Sequence, residues 1–180
     1  MQYRITAPWQ LITRFAALAM LVLTASLAQA QVNSAAIEQA DILNLRNPEA
    51  SVYSSGQPTE EQLQVLAQSG VKHIISLRPS SEIDWDEAAK VKSLGMEFHN
   101  IPVSGAGDVT SENAKKLDEL LASLNGQPTL VHCASSNRVG ALRALSAGET
   151  GGESADAAVA TGKRWGLGSL ESAVRSKLAE

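Results

Sequence analysis

Thr129-Leu130-Val131-His132-Cys133-Ala134-Ser135-Ser136-Asn137-Arg138-Val139-Gly140 is the stretch whose reading decides the fold. Thr129 to Val131 is an apolar, β-branched run of the kind that forms a short buried strand. Ala141-Leu142-Arg143-Ala144-Leu145 follows and reads as helix. Cys133, the single cysteine of the chain, therefore falls at a strand-to-helix turn, with Arg138 on the same turn. Backbone N–H groups at such a turn converge on one concave site, and the helix N-terminus adds positive potential. That field favours a thiolate and binds anions. Arg138 is suited to hold two oxygens of an anion in a planar fork, which lysine is not.

Outward from this turn, helical and strand patterns alternate. Val52 to Gly56 reads as a strand. Thr59-Glu60-Glu61-Gln62 is a capping box opening a helix that ends at Gly70. Val71 to Leu77 is a buried strand, Asp84 to Leu94 a helix stopped by Gly95, and Met96 to Val103 a strand. Ser104 to Val109 is a loop. Ser111 is expected to cap a third helix carrying Leu117, Leu120, Leu121 and Leu124 on one face. After Arg138 only helical patterns remain, broken at Gly151-Gly152 and near Gly166 and Gly168. The order predicts an α/β fold: a mostly parallel central sheet of about four strands flanked by helices, with a helical C-terminal part. Ligands of such sheets bind beyond the carboxyl ends of the strands. Cys133, Arg78 and the loop after Val103 all fall there.

Residues 1–30 have the form of a secretory signal peptide. Arg4 and Arg14 precede the apolar stretch Phe15 to Leu27, and Ala28-Gln29-Ala30 is a small-x-small cleavage site. Residues 31–50 read as a polar leader with a weak apolar face of Ile37, Ile42 and Leu45, and 51–180 as the catalytic domain. The whole chain of 180 residues carries a formal charge of −4. Without the two arginines of residues 1–30 the balance is −6, which argues against nucleic acid and against an anionic membrane surface as partners. The expected location is the periplasm or the exterior. One cysteine permits no internal disulfide, so an exported lone thiol points to chemistry.

The His-Cys, short loop, Arg arrangement resembles the signature of the protein tyrosine phosphatase superfamily. Four residues, Ala134 to Asn137, separate Cys133 from Arg138 where that superfamily normally has five. The shorter loop is similar to the bacterial beta-lactamase-hydrolase-like phosphatase branch, also named sulfurtransferase, and resembles the active loop of rhodaneses. The likeness extends over Ser54-Ser55-Gly56-Gln57-Pro58, Ile75-Ser76-Leu77-Arg78-Pro79 and Ser169-Leu170-Glu171-Ser172-Ala173-Val174. It implies a tyrosine or dual-specificity phosphatase-like fold, Cys133 as nucleophile, Arg138 as phosphoryl clamp and Asp108 as acid for the leaving oxygen. His132 would orient the loop. Ala134, Ser135, Ser136 and Asn137 would form the anion cradle, with hydroxyls of Ser135 and Ser136 as extra donors. Asn137 is the expected left-handed residue in a loop that lacks glycine. Arg78 is a candidate second anion contact, or a partner of Glu82 or Asp84. Val139 stands where those phosphatases carry Ser or Thr. His73 and His99 read as structural strand residues. No Cys/His cluster has metal-ligand spacing, so no metal and no cofactor is expected. The expected substrate is a small anionic or phosphorylated molecule. A sulfane sulfur donor and persulfide chemistry on Cys133 is one alternative, and a non-catalytic anion- or partner-binding module is another.

Overall fold

A computed structural model describes residues 32–179; the segment read as a signal peptide lies outside them. Two near-continuous apolar runs set the architecture. The strands β3 (His73–Ser76) and β5 (Thr129–His132) are buried at every position, as strands covered on both faces must be. They pair in parallel, with His73 opposite Thr129 and Ser76 opposite His132. Parallel neighbours β2 (Val52–Ser55) and β4 (Glu97–Asn100) flank them. The fifth strand, β1 (Arg46–Glu49), joins β2 antiparallel, giving the order β1-β2-β5-β3-β4. The extra strand comes from the stretch read as a leader, where Asn47-Pro48 hides any strand signal.

Seven helices occur among the described residues: α1 (Ser34–Gln39), α2 (Glu60–Gln68), α3 (Glu87–Ser93), α4 (Ser111–Ser123), α5 (Asn137–Glu149), α6 (Ala155–Arg164) and α7 (Glu171–Leu178). The predicted capping box is formed: Thr59 accepts from the Gln62 amide and Gln62 answers to the Thr59 amide. Helix α4 is capped by Thr110 rather than Ser111. The extended Thr110 places its hydroxyl 3.2 Å from the Asn113 N–H, and Ser111 becomes the first helical residue.

The sheet separates two apolar clusters. Ile74, Leu130 and Tyr53 face Ile37, Leu63, Leu66 and Val91 from α1, α2 and α3. Ile75 and Val131 face Leu117, Leu142, Leu145 and Val159 from the helices on the other side. On that second side α5 and α6 touch through glycines. A Cβ on Gly140 would meet the Leu167 N–H and come within 2.6 Å of the Gly162 carbonyl. These obstacles are backbone, so the helices must part to admit a methyl group. Gly140→Ala is expected to cost about 1–3 kcal/mol, the usual range for overpacking. A urea midpoint within error of wild type would show that the crossing yields more easily.

Candidate active site

Cys133 lies just past β5, the central strand of the sheet. Its neighbours are the carboxyl ends of β2 and β3, paired at Ser55–His132 and Ser76–His132. The Cys133 N–H donates to the Ser55 carbonyl at 3.3 Å. Beyond it the chain turns sharply into α5. The turning residue is Ser136, at φ 69°, and Asn137 is already helical. This corrects the expectation for Asn137. The left-handed Ser136 is held by the partners of its side chain: its buried hydroxyl donates to the Trp165 carbonyl at 2.8 Å. It therefore supplies no donor to the loop interior. Gly166 lies against it at φ 105°, where any Cβ would come within 2.6 Å of the Ser136 Cβ. Asn137 turns outward as well, accepting from the Gly168 N–H at 2.8 Å and donating to the Ser169 hydroxyl at 2.8 Å. The segment Ser169 to Val174, singled out by resemblance, is thus the strut of the loop.

The cradle consists of backbone. The Ala134 carbonyl accepts from the Gln57 N–H and the Ser135 carbonyl from Asn44 Nδ2 at 3.1 Å, which turns these carbonyls away from the loop centre. Among the described residues, the N–H groups of Ala134, Ser135, Asn137 and Arg138 donate to no protein acceptor, while that of Ser136 belongs to the short antiparallel bridge between Gly56 and Ser135. A left-handed residue followed by helix gathers such donors into an anion-binding concavity. Ser135 remains exposed.

Arg138 is oriented by Glu82, a residue to which sequence reasoning gave no role at the site. Nη1 and Nη2 donate to the two carboxylate oxygens at 3.0 and 2.7 Å, and Nη1 also donates to the Val103 carbonyl. Three of the five guanidinium donors are then committed. The two left, Nε–H and the second Nη2–H, form one edge of the plane and can take two anion oxygens. Burial pushes the Arg138 pKa down, but the Glu82 hydrogen bond and the Cys133 sulfur outweigh it, so the guanidinium is held more firmly charged than usual. The Arg138 hydrogen bonds hold Glu82 below the ordinary carboxylate range against a smaller opposing burial effect.

Arg78 does not reach out as a free anion contact. It donates to Gln57 Oε1 at 2.9 Å, to Glu82 Oε2 at 3.4 Å and to the Glu82 carbonyl. It pairs with Glu82, one of the two partners anticipated for it. Gln57 passes the chain on, donating to Glu87 Oε1 at 2.6 Å. Glu87, 3 % exposed at the start of α3, lies 3.0 Å from His132 Nε2. The contact is ionic in distance but misses hydrogen-bond alignment. Burial pushes the Glu87 pKa up, yet His132, Gln57 and the Ser76 hydroxyl together bring it below the ordinary range. A polar chain Arg138–Glu82–Arg78–Gln57–Glu87–His132 thus runs behind the cysteine loop. A cavity of about 450 Å³, lined in part by Arg78, Trp85, Glu87, Phe98 and Asn100, opens beside this chain.

Asp108 ends a 3-10 turn over Ala106–Asp108, and its carboxylate accepts from the Ser104 N–H at 2.8 Å. The turn follows Val103, the residue that Arg138 grips. Val139 is fully buried in the apolar cluster beside Cys133 and offers the sulfur no hydroxyl.

Comparison with known proteins agrees with this geometry. A DUF442 protein of Shewanella putrefaciens CN-32 superposes with a TM-score of 0.61 at 27 % identity, over 77 % of this chain and 93 % of that one. The core catalytic domain of the PP-IP phosphatase Siw14 from S. cerevisiae shares the fold at TM-score 0.59 and 19 % identity, over 77 % and 85 % of the two chains. The beta-lactamase hydrolase-like protein of Xylella fastidiosa is 33 % identical over 98 residues, which are 51 % of this chain. The match spans about a fifth of that relative's length (22 %). The sequence pattern of one family, described as DSP-PTPase phosphatase fused to NAD+ kinase, matches residues 15–150. With its phosphatase-like sheet and its Cys133–Arg138 loop, the chain belongs to that DSP-PTPase family, a branch of the protein tyrosine phosphatase superfamily.

Proposed function

We propose that this domain is an exported, cysteine-dependent phosphatase acting on a small phosphate ester. The observation that carries the reading is the set of unengaged N–H groups at Ala134, Ser135, Asn137 and Arg138, on the loop that joins Cys133 to an Arg138 with one edge free. A phosphoryl group in that cradle would present phosphorus to the thiolate. The sulfur–phosphorus bond forms as the bond to the leaving oxygen breaks, and Asp108 protonates that oxygen. Water then attacks the phosphocysteine, giving its proton to Asp108. The sulfur–phosphorus bond breaks, and inorganic phosphate and the thiolate are released. The amide cradle and the Arg138 edge stabilise charge on the phosphoryl oxygens in both steps.

The test combines turnover with intact mass. Aryl phosphate is expected to yield phosphate in a Cys133-dependent manner, with Cys133→Ser as control. Because Val139 supplies no hydroxyl to help sulfur leave, a covalent phosphoryl adduct is expected to accumulate as a burst. Asp108→Asn is expected to slow an alkyl phosphate about a hundred-fold and a nitrophenyl phosphate far less, since only the poor leaving group needs the proton. Equal losses on both substrates would remove Asp108 from the acid role. The missing hydroxyl also favours a second reading, sulfur transfer through a Cys133 persulfide. A gain of one sulfur after thiosulfate, discharged by cyanide, with no phosphate release from the ester, would replace the phosphatase reading. Anion binding with neither reaction would leave a binding module. Export is tested by the N-terminus of the protein from its own cells: Gln31 supports it, and an intact Met1 opposes it.

A further inference from the structure

The parallel register of β3 and β4 gathers two of the three histidines far from Cys133. His73 pairs with Glu97, and His99 stands opposite Ile75, so the three side chains share one face of the sheet. His73 Nδ1 lies 3.3 Å from His99 Nε2 and 3.7 Å from Glu97 Oε2, and His99 Nε2 lies 4.0 Å from the same oxygen. His73 is 3 % exposed, and among the described residues its ring has polar contacts with these two side chains alone; its Nε2 is buried without a partner there. Two ring nitrogens turned on each other can share at most one proton. A cation between them uses both lone pairs, and the proton of His73 then sits on Nε2.

The spacing has the dimensions of a tetrahedral site. Ligands held at about 2.0–2.2 Å from zinc stand roughly 3.3–3.6 Å apart in a tetrahedron. The two nitrogens already do. Glu97 is 72 % exposed and needs only a small rotation to close its longer distances. Two imidazoles and one carboxylate suit zinc and neighbouring transition metals better than magnesium or calcium. The exposed side of Glu97 leaves a fourth position open to water.

We propose that His73 Nδ1, His99 Nε2 and a Glu97 carboxylate oxygen form a binding site for a borderline divalent transition-metal ion such as Zn2+. The ion clips the outer strand β4 to β3. Thr129, opposite His73, precedes Cys133 by four residues, about 13 Å along the strand. The site is therefore at the far end of the sheet from the cysteine loop, and its expected effect is on stability rather than on turnover.

Zinc titration against a chromophoric chelator tests this, in a Cys133→Ala background so that the thiol cannot serve as a ligand. One equivalent per chain is expected, with two imidazoles in the X-ray absorption signature. His99→Ala is expected to weaken binding at least roughly a hundred-fold. Glu97→Gln, at an exposed position, weakens it without risk to the core. Zinc should raise the melting temperature of the background protein and not that of His99→Ala. Absence of stoichiometric uptake by the Cys133→Ala protein would overturn the proposal, as would uptake undiminished in both folded variants.

Discussion

Replacing Arg138 by lysine is expected to lower kcat/KM on a phosphate ester by roughly a thousand-fold, in the range of losing preorganised donors to a developing oxyanion. The charge survives the exchange, but the geometry does not. Arg138 spends three donors on Glu82 and Val103 and keeps one edge, Nε and Nη2, for the anion. Lysine has one nitrogen and a flexible stem, so it cannot satisfy Glu82 and present a two-donor edge together. It would be drawn to the Glu82 carboxylate and leave the cradle. Glu82→Gln is expected to act more mildly, because the amide oxygen still accepts one Arg138 hydrogen bond. Steady-state kinetics with circular dichroism as a fold check decides the matter. Lysine within tenfold of wild type would mean that positive charge alone suffices and that the fork is incidental.

The Arg138–Glu82 pair also shows where sequence reading stops. Strand-to-helix turns have a strong local signature, so the Cys133 loop, its following helix and the parallel sheet could be read from the chain. So could the convergence of the segments after β3 and β4 on that loop, because carboxyl ends of parallel strands share one edge. Partner choice across that edge could not. Glu82 is separated from Arg138 by 56 positions and Glu87 from His132 by 45, and nothing local marks either carboxylate. The one available hint was Arg78, whose pairing with Glu82 is correct but incomplete, since the same carboxylate also reaches Arg138. The turn chemistry misled in a specific way. Asn tolerates left-handed backbone better than Ser, so intrinsic preference points to Asn137. The Trp165 carbonyl overrides that preference by fixing the Ser136 hydroxyl. Strand β1 was hidden because an outer, antiparallel strand exposed to solvent needs no apolar run. The His73–Glu97–His99 group was invisible for a related reason, being set by register rather than by spacing.

Glu87→Ala is expected to destabilise the fold by about 1–3 kcal/mol, the usual loss when buried polar groups are left without their acceptor. Glu87 is almost fully buried between His132 and Gln57. Truncation leaves the fully buried His132 ring facing a void and strips the Gln57 amide of its shortest acceptor. Gln57 also holds Arg78, and Arg78 holds Glu82, so the loss is expected to reach the Arg138 edge and lower turnover in the protein that remains folded. Glu87→Gln keeps the volume and is expected to cost less. The pH dependence separates charge from packing. The folded carboxyl of Glu87 titrates below the ordinary range, as does that of Glu82. Each therefore contributes stability that is present above the ordinary carboxylate pKa, about 4.3, and is lost as pH falls through the lower folded value. Wild type is expected to weaken steeply as pH falls below about 4, with a shallower slope in Glu87→Gln. Urea midpoints at pH 7 and at pH 3.5 measure both effects. A loss under 1 kcal/mol for Glu87→Ala at pH 7, with an unchanged acid slope, would mean that His132 is held by packing alone.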